Sequence, residues 1–91
     1  MKKVFDVYCD PGHAWLKVSF ADLRAIGMQC DKFSGYSYLS DTAIYLEEDC
    51  DLPLFAKAYV AWTGTAPTFR EHVSRNRASR IRGYARNTHT V

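Results

Sequence analysis

Six arginines fall within seventeen residues near the end of this 91-residue chain: Arg70, Arg75, Arg77, Arg80, Arg82 and Arg86. The planar guanidinium group offers paired donors that match a phosphate or carboxylate in two-point contact. Read with the two-residue period of a strand, Arg80, Arg82, Tyr84 and Arg86 share one face, and Ile81, Gly83 and Ala85 share the other. In the preceding strand-like stretch, Thr68, Arg70 and His72 lie opposite Phe69 and Val73. Pairing the two stretches as a hairpin predicts a cationic sheet face on which the Tyr84 ring stacks a base, with Arg75 and Arg77 at its rim. The competing reading folds these arginines onto the chain's own acids, Glu47, Glu48, Asp49 and Asp51, or leaves them solvating an edge strand.

A second constellation lies earlier. Asp10-Pro11-Gly12 has the chemistry of a tight turn and presents His13 next to Trp15, while Glu47, Glu48 and Asp49 form an acidic run. Asp10, His13, Trp15, Glu47, Glu48 and Asp49 are therefore a candidate second contact surface. A general base needs a partner group and a pocket, and no Ser or Cys stands near His13 in a nucleophile context. The acidic run has a helix-end explanation, with Asp51 or Asp49 as N-cap and the other acids complementing the positive end of the helix dipole. The EF-hand spacing, the glycine-rich phosphate loop and the HExxH and GxSxG patterns are all missing from the sequence. No metal and no cofactor is expected, and the chain reads as non-enzymatic.

Charge is divided along the chain. Residues 1–51 hold nine acids and five bases; residues 52–91 hold one acid, Glu71, and seven bases. The formal net charge of +2 thus conceals two oppositely charged halves. A homodimer joining a positive end to a negative end is compatible with this. Cys9, Cys30 and Cys50 are odd in number and form no CxxC pair, which points to reduced thiols in a reducing compartment. A zinc site from Cys9, His13, Cys30 and Cys50 lacks diagnostic spacing. No run nears the roughly 18 apolar residues of a membrane span. Asp6 interrupts the apolar start, so no signal segment is expected and the setting is read as cytoplasmic.

One domain follows from the length, and 47% apolar residues with thirteen aromatics supply its core. Lys3–Tyr8 and Ala14–Val18 read as strands around the Asp10-Pro11-Gly12 turn. Ser19 and Asp22 open a short helix carrying Phe20, Leu23 and Ile26, with Gly27 as its stop. Gln29–Gly35 reads as a loop, and Tyr36–Leu39 and Thr42–Leu46 as a second hairpin. Leu52–Trp62 is a second helix, with Pro53 tolerated in its first turn and Gly64 behind it. Pro67–Val73 and Arg80–Arg86 are the last strands. The expected fold is α+β in the order ββαββαβ(β), a mainly antiparallel sheet packed against two helices over residues 1–86, with 87–91 a flexible tail.

The stretches Asp10-Pro11-Gly12-His13-Ala14-Trp15-Leu16-Lys17-Val18, Tyr45-Leu46-Glu47-Glu48-Asp49-Cys50-Asp51, Phe69-Arg70-Glu71-His72 and Ser79-Arg80-Ile81-Arg82-Gly83-Tyr84 together resemble a group of small proteins encoded by bacteriophages and prophage-like elements. Ala14 departs from the glycine expected after the histidine. The resemblance brings no catalytic residues; it implies a small accessory protein in a bacterial cytoplasm. Three functions are then open: contact with nucleic acid or a ribonucleoprotein through the arginine-rich hairpin, stoichiometric inhibition of a host or defence complex in the manner of anti-CRISPR proteins, or a small metal- or His-based enzyme.

Overall fold

Alternation along the first two strands decides how the sheet is used. β1 (Val4–Cys9) pairs antiparallel with β2 (Ala14–Ser19). Phe5, Val7, Ala14, Leu16 and Val18 point to one face, and Asp6, Tyr8, Trp15 and Lys17 to the other. At the turn between them the Asp10 carboxylate accepts from the Gly12 and His13 amides, both at 3.0 Å, which fixes the position from which His13 projects.

The computed structural model describes residues 3–74 and 80–87. After β2 come α1 (Phe20–Ala25), a 3-10 turn at Cys30–Lys32, β3 (Tyr38–Leu39), β4 (Ala43–Glu47), α2 (Leu52–Thr63) and β5 (Thr68–Val73). A second 3-10 turn (Arg80–Gly83) and β6 (Ala85–Arg86) complete the described chain. The sheet runs β5-β1-β2-β4-β3-β6. Only β1 and β5 are parallel, so the α+β class, the ββαββαβ(β) order and the mainly antiparallel sheet are as expected.

Both helices cover one face. Leu16, Val18, Ile44, Leu46 and Phe55 have no exposed surface there, and Leu23, Ile26 and Phe33 close around them. Burial of a side chain of this size stabilises by about 1.5–3 kcal/mol, an upper figure because unfolded chains are already partly compact. Phe55 and Tyr59 meet the Phe5 ring edge-on at 5.2 and 5.5 Å. α1 is capped by Ser19, whose Oγ accepts from the Asp22 amide, and Gly27 follows at φ +74°. Gly64 ends α2 in the left-handed conformation, with its amide bonded to the Val60 carbonyl.

The opposite face carries a second cluster of Trp15, Tyr38, Ala43 and Tyr45, packed by Ile81 and flanked by Tyr8 and Tyr84. Here three expectations fail. Arg80–Gly83 is a 3-10 turn, because Ile81 is drawn down onto the aromatic rings and is 3% exposed. The last strand shrinks to Ala85–Arg86 and pairs with β3, so no hairpin joins it to β5; the two occupy opposite edges of the sheet. Asn87, assigned to the tail, is buried, and its amide donates to the Cys30, Phe33 and Ser34 carbonyls. Residues 88–91 lie outside the described residues.

The acidic run also behaves differently. Asp51 holds the N-cap position of α2 but makes no side-chain cap bond. Its buried carboxylate instead accepts from the Ser34 amide and the hydroxyls of Ser34 and Ser37, tying the chain before β3 to the start of α2. Glu47 takes the local capping role: its Oε1 accepts from the Asp49 and Cys50 amides at 3.0 and 2.8 Å. No described helix is long and apolar enough to cross a membrane.

Candidate functional site

Strand pairing lays out the face opposite the helices row by row. The registers place Arg70, Asp6, Lys17, Tyr45, Tyr38 and Arg86 side by side across all six strands. The next row holds His72, Tyr8, Trp15 and Glu47. Neighbouring strands lie about 4.8 Å apart, so β5 and β6 are separated by about 24 Å. Arg70 and His72 therefore stand at one edge and Arg86 at the other.

At the β5 edge, Asp6 Oδ1 accepts from Arg70 Nε at 2.9 Å and lies 2.9 Å from His72 Nε2. These two bonds, His72 first, hold the Asp6 carboxyl below its ordinary pKa, while Arg70 is held more firmly protonated. His72 also stacks on Tyr8, with centroids 4.8 Å apart and planes at 18°. The expected alternative that an arginine turns back onto an internal acid is realised at Arg70, with Asp6 in place of the Glu47–Asp51 run. Both Arg70 and His72 keep large exposed fractions, 64% and 44% of their side chains.

At the β6 edge, Arg86 donates from Nη1 to the Gly35 carbonyl at 3.3 Å, and its guanidinium lies 5.4 Å from the centre of the Tyr38 ring. Tyr84 meets Tyr45 at 5.1 Å. The ring expected to stack a base thus packs in part against another ring of the protein and stays half-exposed. Arg75 and Arg77 lie outside the described residues. Arg80 and Arg82 are placed by their backbone alone.

A cleft of about 300 Å³ opens at this end of the same face, lined by His13, Trp15, Tyr36, Tyr38, Glu47, Asp49, Cys50 and Arg86. The β2–β4 register makes it: Trp15 lies opposite Glu47, and the Glu48 amide donates to the Ala14 carbonyl. His13 and the acidic run are thus joined across two strands, although more than thirty residues separate them in sequence. The second candidate surface is brought together apart from Asp10, whose carboxylate supports the turn below His13. Glu47 is buried and offers Oε2 to His13 Nδ1 at 3.9 Å, longer than a hydrogen bond.

Sequence reasoning missed Tyr36, Tyr38 and Cys50 as cleft residues; the strand pattern alone put Tyr36 and Tyr38 on one face. Cys50 is exposed, yet hydrogen bonding to Glu47 and the surrounding acids raise its thiol pKa. Cys9 and Cys30 are raised mainly by burial. Such thiols stay protonated and are poor nucleophiles. Among the described residues the three cysteines do not converge with His13; the one cluster of His, Cys, Asp or Glu close enough to share a cation is His13, Glu47 and Glu48. Comparison of the chain with known protein families, with curated proteins and with solved structures returns no match.

Proposed function

We propose that this chain is a non-enzymatic accessory protein, working in a bacterial cell as the bacteriophage resemblance implies, that contacts the phosphate backbone of nucleic acid with the polar face of its sheet. One observation carries the reading. β5 and β6 are opposite edges of the sheet, and Ile81, on the chain that links them, is planted in the aromatic cluster of this face. The linking chain bears Arg75, Arg77, Arg80 and Arg82 between its two ends, and Arg70 and Arg86 mark those ends. Strand alternation sends Glu71, the one acid of residues 52–91, to the opposite face. Arg70 and Arg86 therefore stand about 24 Å apart on opposite edges of one face, a span that would match about seven phosphates of one strand at the 3.4 Å spacing of B-form DNA.

Because Arg70 is shared with Asp6, neutralisation of three to five phosphates is expected, giving a slope of log affinity against log salt of roughly −2 to −4.5. Fluorescence anisotropy with labelled single-stranded RNA, single-stranded DNA and duplex tests this. Arg86→Ala should flatten the slope by about one unit. Absence of binding at about 100 µM protein in low salt, the weak end of non-specific affinity, refutes it.

A second reading rests on a different observation. All six residues of edge strand β5 are exposed, and Phe69 and Val73 stand on the same side of it at 40% and 60% exposure. An edge that no other described strand pairs, with apolar side chains on it, suits strand addition by another protein, the geometry of a stoichiometric inhibitor of a host or defence complex. Capture from bacterial lysate with and without nuclease separates the two: a specific band that survives nuclease and is lost in Phe69→Arg supports inhibition, and a band that disappears with nuclease supports nucleic acid.

A further inference from the structure

We infer that His13, Glu47 and Glu48 form a binding site for a zinc-class divalent cation, independent of the nucleic-acid reading. Imidazole nitrogen plus two carboxylate oxygens is a donor set that suits zinc and its first-row neighbours, whereas calcium and magnesium prefer oxygen alone. The ligand atoms lie within 4.8 Å of one another. Three atoms so placed leave a point no more than about 2.8 Å (4.8/√3) from all three. Zinc bonds run about 2.0–2.2 Å, so the remaining gap is under about 1 Å. His13 is exposed and Glu48 half-buried, and side-chain rotation at these two closes it.

The arrangement around Glu47 points to a cation rather than to a chance gathering of charge. Glu47 is 8% exposed. Its Oε1 is held by the Asp49 and Cys50 amides, which fixes the carboxylate plane and turns Oε2 toward His13. The Cys50 side chain also hydrogen-bonds this carboxylate, and His13 Nδ1 stands 3.9 Å from Oε2. An orienting bond on the sister oxygen is how supporting shells aim metal ligands. The backbone is equally prepared. Asp10 fixes the His13 turn, and the Glu48 amide bond to the Ala14 carbonyl sets Glu48 beside it. Three protein ligands leave one position for water or a small anion, and Arg86 lines the same cleft.

The test titrates the full chain with zinc chloride in a non-chelating buffer by calorimetry, and follows the His13 ring nitrogens by NMR. One equivalent should bind, shifting Nδ1. His13→Ala and, separately, Glu48→Gln should each weaken binding at least about tenfold, while circular dichroism shows both variants folded. Cobalt substitution should give visible absorption without the intense near-ultraviolet thiolate band. Binding that survives His13→Ala, a thiolate band, or no heat at about a tenfold excess of zinc each overturns the proposal.

Discussion

Asp51→Asn should destabilise the protein far more than its conservative chemistry suggests. Asp51 is 1% exposed, and asparagine has nearly the same volume, so no cavity forms. The carboxylate accepts from the Ser34 amide at 2.9 and 3.0 Å, from Ser34 Oγ at 2.7 Å and from Ser37 Oγ. An amide oxygen can take the place of Oδ2 before the two hydroxyls, but the NH₂ group then faces the Ser34 N–H, donor against donor. Three charge-assisted bonds weaken by about 1 kcal/mol each, and the opposed donors cost about 1–2 kcal/mol more. Removing the desolvation cost of a buried charge offsets part of this, leaving about 2–4 kcal/mol. At about 4–8 °C per kcal/mol for a domain of this size, Tm should fall by about 10–25 °C. Urea unfolding followed by circular dichroism measures the energy directly, with Asp51→Ala as a more severe control. A loss below about 1 kcal/mol for Asp51→Asn would refute the view that this carboxylate ties the chain before β3 to α2.

Ile81→Ala removes the aliphatic side chain packed among Trp15, Tyr38, Ala43 and Tyr45 and should cost about 2–4 kcal/mol in urea unfolding; a cost under about 1 kcal/mol would show that the link between the sheet edges is not anchored there. Asp6→Asn frees Arg70 and His72 and should steepen the salt dependence of nucleic-acid binding, with a stability change within about 1 kcal/mol because the group is at the surface. The same variant carries a pH test. The folded Asp6 carboxyl titrates below its ordinary value, so its stabilisation is complete above about pH 4 and fades as pH falls through the lower folded pKa; Asp6→Asn should flatten that acid limb of the stability curve. Gly27→Ala forces φ +74° on a residue with a side chain and sets its Cβ 3.1 Å from the Trp62 ring, so it should cost about 1–2 kcal/mol, and an unchanged Tm would contradict it.

The strands and helices were legible because local chemistry and burial agree along most of the chain. The Asp10 turn, the Ser19 cap and the two glycine stops each act within a few residues of their own position. What the sequence hid was tertiary. Arg80–Arg86 satisfies the strand period as written, and only the site awaiting Ile81 on the aromatic cluster explains why that stretch coils into a turn. In the same way, Asp51 is well placed to cap α2, but Ser34 and Ser37 stand close by and form stronger bonds than first-turn amides would. Pairing beyond the two hairpins was equally invisible, and with the β2–β4 pair came the meeting of His13 with Glu47 and Glu48.

The two faces of the sheet also divide the burden of folding and binding. The helix-covered face holds nearly all of the fully buried aliphatic surface, so stability resides there. The other face is packed by aromatic rings, which present polar tips or flat sides to water and tolerate charged neighbours at their margins. Arg70, His72 and Arg86 thus stand at the edges of a face whose middle is largely aromatic, with Lys17 on the inner strand β2 among the rings. Substitutions of these four should change partner contact more than folding. Ile81 is the exception, since it contributes to the core and also holds the 3-10 turn Arg80–Gly83 against the sheet. Loss of nucleic-acid contact in Ile81→Ala with Arg70 and Arg86 intact would locate the contribution in the linking chain itself, whereas retained contact would assign it to the two edges.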